Sequence, residues 1–143
     1  MAVSELRVGE FLAALGERTP APASGAATAL TAAFAAALVE LAARFADDEA
    51  AVTRSKALGA RLTRLADEDA EAYAAFMAAK TDDTRRRIIE VPEQVAASAD
   101  EVARLANEVG YKLSSSVAGD AEAAGELARA AARVARRLAE LNA

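Results

Sequence analysis

The chain contains no cysteine and no histidine among its 143 residues. It can therefore form no disulfide and no thiolate nucleophile, and it lacks the imidazole that most often acts as a general base or a zinc ligand. Any chemistry must rely on carboxylates, hydroxyl groups, Lys or Arg side chains and backbone N–H groups. We accordingly expect no metal centre.

Aromatic residues and prolines are also scarce, at 4% and three residues, while alanine supplies much of the 54% hydrophobic fraction. Combined with abundant Glu, Arg and Leu, this composition favours helices over sheets. The length suits one domain with its own core. We predict a single all-α domain over residues 1–143, an antiparallel helical bundle of about five helices.

Basic residues are the minority among the charged ones, because 17 Lys and Arg against 22 Asp and Glu give a net charge of −5. Such a chain is not expected to bind nucleic acid or anionic membrane surfaces. The basic cluster at residues 85–87 has two open interpretations. It is either a solvated helix face or a contact for the anionic tail of a substrate.

Nothing in the sequence predicts a membrane span or a secretion signal. The longest uncharged helical run, residues 25–39, is fifteen residues long, shorter than the roughly 20 residues that span a bilayer. The N-terminus has no basic segment followed by an apolar run. We therefore expect a core helix, no membrane partner and a cytoplasmic location.

The uncharged stretch from Thr19 to Val39 predicts the start of a central helix. Two prolines end whatever precedes it, Ser24 is a plausible N-cap, and Gly25 permits another group to approach the backbone closely. The helix, predicted over residues 25–47, is apolar on almost every side, which indicates the centre of a bundle. Its free N–H groups favour binding of an anionic or polar ligand group.

Apolar residues three or four apart predict the other helices. We expect them over residues 4–16, 48–80 and 82–110, with a last helix that begins at or just after Asp120. Pro92 falls inside the fourth helix, where we expect a kink or a break. Gly110 is expected to end that helix in the left-handed conformation.

Asp69 interrupts the apolar stripe of the third helix, which consists of Leu58, Leu62, Leu65, Ala72 and Phe76. A buried unpaired carboxylate is costly, so Asp69 is paired, hydrogen-bonded or kept for function. Two interpretations are open: a residue at the edge of the stripe that pairs with an Arg, or an acid–base group in an apolar cleft. Its neighbours Asp67, Glu68 and Glu71 are expected to be solvated.

Four segments match the motifs of one enzyme family in order and spacing, from about Val8 to Asn142. They are the Pro-Ala-Pro turn before the alanine-rich helix, the acidic stretch 65–73, the Val91-Pro92 step, and Gly119-Asp120 before the last helix. The chain thus resembles the cyclodeaminase/cyclohydrolase family, helical enzymes that act on formimino- or methenyl-tetrahydrofolate. The resemblance implies a homodimer or larger homo-oligomer, a small-molecule folate substrate, and no cofactor beyond that tetrahydrofolate.

The resemblance also implies roles for individual residues. Asp69 is the candidate catalytic residue, and Ser24, Gly25 and Asp120 are the candidates for substrate binding. Asp120 has a second interpretation, because an acidic residue at a helix start is a common N-cap. The family's glycine run is reduced to Gly25, and Gly119 stands where the family has a serine, so we expect a short and diverged member.

Two other functions compete with the enzyme. A non-catalytic homodimer that binds a folate-like ligand or a protein partner is favoured by the altered glycine turn. A bundle without any site leaves an Asp on the core stripe unexplained.

Self-association is expected independently of the family. Burial of apolar area stabilises a protein by about 25 cal/mol per Å², so alanine side chains contribute little and a single copy has a thin core.

Overall fold

The computed structural model describes residues 2–114 and 116–143, and within them the chain is helical, with no strand. A short 3₁₀ helix at Val3–Glu5 precedes five α-helices. They are α1 (Val8–Gly16), α2 (Ser24–Phe45), α3 (Glu49–Ala78), α4 (Asp82–Gly110) and α5 (Ser116–Asn142). This confirms the prediction of an all-α bundle of about five helices.

The four long helices run antiparallel to their sequence neighbours. Hydrogen bonds between helices show the direction, since the residue number on one helix falls as that on the other rises. These bonds are Arg61–Ser98 and Arg54–Glu101 between α3 and α4, and Asn142–Ile88 and Arg136–Asp100 between α5 and α4. Between α2 and α3, Gly25 lies against Asp69 and Ala36 lies against Gly59, which shows the same antiparallel direction. The start of α2, the end of α3, the start of α4 and the end of α5 therefore meet at one end of the bundle.

α2 lies at the centre and packs on α3, α4 and α5. Its inward positions are fully buried and almost all alanine: Ala26, Ala29, Ala32, Ala35, Ala36, Val39, Ala42 and Ala43. Small side chains let the neighbouring helices approach closely, and α3 adds the buried leucines Leu58, Leu62 and Leu65. Phe34, Leu41 and Phe45 of α2 are instead exposed.

α2 has 22 residues and is long and apolar enough to span a membrane by length and composition. The fifteen uncharged residues are only part of this helix, which was predicted over residues 25–47 and continues through Glu40 and Arg44. Half of its most apolar window is buried inside the protein. That burial is the property of a core helix.

The N-terminal segment differs from its prediction. The single helix expected over residues 4–16 is divided into the 3₁₀ turn and α1. The Ser4 N–H and Oγ donate to the carboxylate of Asp67 on α3, at 2.9 and 2.5 Å. The expectation that Asp67 is simply solvated was therefore wrong, since it holds the N-terminal turn against α3.

Three helix ends also differ. The N-cap of α2 is Ala23, and Ser24 is its first helical residue. α5 begins at Ser116, so Asp120 lies inside its second turn and is not an N-cap. α4 continues through Pro92, and among the described glycines none has a positive φ, so Gly110 does not end α4 in the left-handed conformation.

Candidate functional site

A cleft of about 580 Å³ opens where the four long helices meet. Its volume lies within the range of roughly 300–1,000 Å³ typical of small-molecule sites. The loop before α2 forms one side, with Arg18 and Thr19. The helices contribute Ser24 and Gly25 (α2), Asp69, Tyr73 and Met77 (α3), Pro92 (α4), and Leu138, Leu141 and Asn142 (α5).

The Asp69 side chain lies directly against the backbone of Gly25. A Cβ atom at residue 25 would overlap both carboxylate oxygens. Glycine at this position therefore makes room for Asp69 itself. The close approach that the sequence predicted for a ligand is made by a side chain of the protein.

Asp69 also completes the start of α2. The N-cap residue, Ala23, has no side chain that can accept a hydrogen bond, although the first N–H groups of a helix need acceptors. The N–H of Ala26 lies near enough to the Asp69 carboxylate to lower its pKa. A carboxylate from α3 thus lies at the start of α2, where no local side chain caps the helix, and it meets the positive end of the α2 dipole.

Burial raises the pKa of Asp69 from 3.8 to about 6, and the hydrogen bond from Ala26 only partly opposes this shift. Among residues 2–114 and 116–143 no cation forms an ion pair with it. The interpretation in which Asp69 pairs with an Arg was therefore wrong. The side chain is a carboxyl in a partly apolar cleft that can hold or release a proton near pH 6.

The structure brings together three of the four predicted site residues. Ser24, Gly25 and Asp69 line the same cleft. Asp120 does not, because α5 contributes its last turn to the cleft and Asp120 lies 18 residues before Leu138. At about 1.5 Å per residue they are roughly 27 Å apart along α5. The expectation that the start of the last helix lies beside Asp69 was wrong.

Tyr73 and Met77 also line the cleft, and neither was predicted as a site residue from the sequence. They follow Asp69 at intervals of four residues, so they share its face of α3, and this spacing was a usable signal. Tyr73 is half-buried and Met77 is exposed. With Leu138 and Leu141 they give the cleft a largely apolar lining around one carboxyl group.

The basic cluster divides into two kinds of side chain. Arg86 pairs with the exposed Asp83, and Arg87 is exposed, as expected for a solvated face. Arg85 instead lies over the Phe76 ring, 5.1 Å from its centroid, and donates to the backbone oxygen of Asn142 at 3.3 Å. Arg85 therefore connects α4 with α3 and α5 beside the cleft.

In the described part of the chain, no group of three or more Asp and Glu side chains is arranged to hold a metal ion. The chemical resources of the cleft are the Asp69 carboxyl, the Arg18 guanidinium, the Asn142 amide and the hydroxyls of Thr19, Ser24 and Tyr73. Such a site can accept hydrogen bonds from a planar polar ligand. It can also exchange one proton with it.

Comparison with known proteins gives one family. A family model described as formiminotransferase-cyclodeaminase matches residues 7–143. This is the family indicated by the four sequence motifs, and the match covers nearly the whole chain. No curated protein matches the chain.

Gly25→Ala is expected to destabilise the protein, because the new Cβ would overlap the Asp69 carboxylate. The matched control is Gly119→Ala, since Gly119 lies in α5 with open space around it. That control should gain about 0.5–1 kcal/mol from helix propensity. Urea unfolding measures the free energy of unfolding of both variants. If Gly25→Ala costs as much with Asp69→Ala as without it, the overlap is not the cause.

Asp69→Asn is expected to raise the stability at pH 7.5 by roughly 1–2 kcal/mol, because it removes a buried charge and keeps an acceptor for Ala26. Since folding raises the pKa of Asp69 to about 6, wild-type stability falls as the pH rises from about 4 to 6. The gain should therefore shrink towards pH 4. Thermal unfolding across this range checks it, with Asp120→Asn as the control. An equal gain in stability at every pH would contradict the raised pKa of Asp69.

Proposed function

The chain belongs to the formiminotransferase-cyclodeaminase family, and we propose that it binds a tetrahydrofolate derivative in this cleft and acts on the one-carbon unit between N5 and N10. The observation that carries the proposal is the Asp69 carboxyl. It is partly buried, faces the cleft without an ion-pair partner in the described part of the chain, and lies at a helix start against a glycine that leaves room for it.

The cleft suits the chemistry of a reduced pterin. Pterin amino and ring N–H groups are donors, and the Asp69 carboxylate is an acceptor inside a wall of apolar side chains. Met77, Leu138 and Leu141 offer contact for the flat ring faces. The open side of the cleft, beside Arg18, leaves room for the rest of the molecule.

For methenyl-tetrahydrofolate we propose hydrolysis. The methenyl carbon carries a delocalised positive charge, and a carboxylate beside it stabilises that charge. Asp69 takes a proton from the attacking water as the C–O bond forms. The carbon then leaves one ring nitrogen, which receives a proton, and the products are formyl-tetrahydrofolate and one released proton.

For formimino-tetrahydrofolate we propose the reverse use of the same group. N10 attacks the formimino carbon and its proton passes to the exocyclic nitrogen, after which the bond from that carbon to this nitrogen breaks. Protonated Asp69 supplies the proton that lets this nitrogen leave as ammonia, and the product is methenyl-tetrahydrofolate. Neither reaction requires a cofactor beyond the substrate. A pKa of about 6 lets Asp69 serve in either direction near neutral pH.

Asp69→Asn is expected to lower turnover by roughly 10²-fold or more, because the amide keeps the volume but has no useful basicity. Loss of the methenyl chromophore over the buffer rate measures hydrolysis, and ammonia release measures deamination. Glu71→Gln, an exposed change two residues away on α3, should retain wild-type turnover.

The remaining outcomes are distinct. Folate binding without turnover in the wild type would indicate the non-catalytic binder, for which Asp69 is an acceptor only. Full activity of Asp69→Asn would leave the family assignment intact and remove the catalytic role. Absence of both binding and turnover would contradict the proposed function.

We also propose that the protein forms a homodimer or a larger homo-oligomer through the outer surface of α1 and α2. Its exposed apolar side chains are Val8, Leu12, Phe34, Leu41 and Phe45, and a groove of about 480 Å³ separates the two helices. Exposed apolar surface of this kind is typical of contacts between proteins. Burying this surface between two copies would add apolar contact area that the alanine-rich core of one copy lacks.

Phe34→Glu is therefore expected to yield a monomer, because it places a charge in the middle of that outer surface. Size-exclusion chromatography with light scattering at micromolar concentration measures the mass. Leu127→Glu, at a partly exposed position on α5, should leave the assembly intact. A monomeric wild type, or a Phe34→Glu protein with unchanged mass, would contradict this interface.

A further inference from the structure

Pro92 leaves one carbonyl group of α4 without its helical partner. In an α-helix the N–H of residue 92 would donate to the carbonyl of residue 88, but proline has no N–H. Ile88 is 4% exposed, and a buried carbonyl without a donor is costly. α4 nevertheless continues through Pro92, so a donor must come from elsewhere.

Asn142, the last residue of α5, supplies that donor. Its Nδ2 donates to the Ile88 oxygen at 2.8 Å. In the opposite direction, Arg85 Nη1 donates to the Asn142 backbone oxygen, one of the carbonyls that the end of α5 leaves unsatisfied. We call these two bonds the α4–α5 clasp.

The clasp holds a wall of the cleft. Leu138, Leu141 and Asn142 are the lining residues of α5, all in its last two turns. Leu141 is 60% exposed, so apolar packing holds this turn weakly, and helix ends fray readily. The Asn142–Ile88 bond ties the side chain of this last residue to a buried position on another helix.

We infer that Asn142 is a positioning residue, which fixes the last turn of α5 as the cleft wall by using the carbonyl that Pro92 leaves free. Pro92 and Asn142 act as a pair, because the proline on α4 frees the Ile88 carbonyl that accepts the hydrogen bond from Asn142. That this wall contacts a tetrahydrofolate rests on the function proposed above. The clasp itself is independent of any ligand.

Amide hydrogen exchange tests the wall directly in the free protein. Asn142→Leu, which keeps the size but removes the donor, should speed exchange in the last turn of α5 by about tenfold. Asn142→Gln keeps a donor and should restore most of the protection. The matched control is Asn107→Leu, an exposed asparagine near the other end of α4. Unchanged exchange in Asn142→Leu would overturn the inference.

A double-mutant cycle tests the pairing with the proline. Pro92→Ala returns an N–H that can donate to Ile88 within α4, so the Asn142 donor becomes dispensable. Asn142→Leu should then lower the urea midpoint by much less than it does beside Pro92. An equal loss in the two backgrounds would show that Asn142 does not serve the freed carbonyl.

Titration with 5-formyltetrahydrofolate, at a temperature where every variant is fully folded, tests the consequence for binding. Asn142→Leu should raise Kd by about tenfold, a loss of roughly 1.4 kcal/mol, while Asn107→Leu binds as the wild type. Unchanged affinity with faster exchange would overturn the positioning role. If the wild type binds no folate, the proposed function fails. The hydrogen-exchange experiment and the double-mutant cycle still decide whether Asn142 positions the last turn of α5.

Discussion

The arrangement of the cleft depends on one contact, that of the Asp69 carboxylate with the start of α2. α2 begins at a residue with no capping side chain before it, and the acidic side chain beside its first N–H groups comes from α3. The carboxylate reaches them because residue 25 is glycine. The same contact joins two central helices, keeps an acid in a poorly solvated place, and exposes it to the cleft.

This contact couples two properties that are usually treated separately. The burial that raises the pKa of Asp69 to about 6 is a cost to folding above that pH, because the native state then holds a partly desolvated charge. In a site this poorly solvated, a neutral acceptor at the helix start would avoid the desolvation cost of the carboxylate. Retaining a carboxyl here is what a site for proton transfer requires, and functional sites are where such local costs are expected.

Much of the fold could be predicted from the sequence, because apolar periodicity and the proline and glycine breaks determine the helices. Asp69 was identifiable as the polar residue in an apolar stripe. The partner of Asp69 was not, since the Gly25 contact joins residues far apart in the chain. Asp120 was misplaced for two reasons. Local sequence does not reveal that α5 begins one turn earlier, at Ser116. Tertiary packing, and not local sequence, decides which end of α5 reaches the cleft.

The alanine core of α2 has a consequence for the entropy of the folded state. Buried alanines lose no rotamer freedom on folding, whereas leucine or isoleucine would lose about 0.5–1 kcal/mol each. Moving these small side chains out of water therefore stabilises the protein only slightly, but ordering them also costs little side-chain entropy. The buried alanines have no alternative rotamers, so on the α2 side of the core few side chains can change conformation. The position of Gly25 against Asp69 therefore depends mainly on how closely the helix backbones approach.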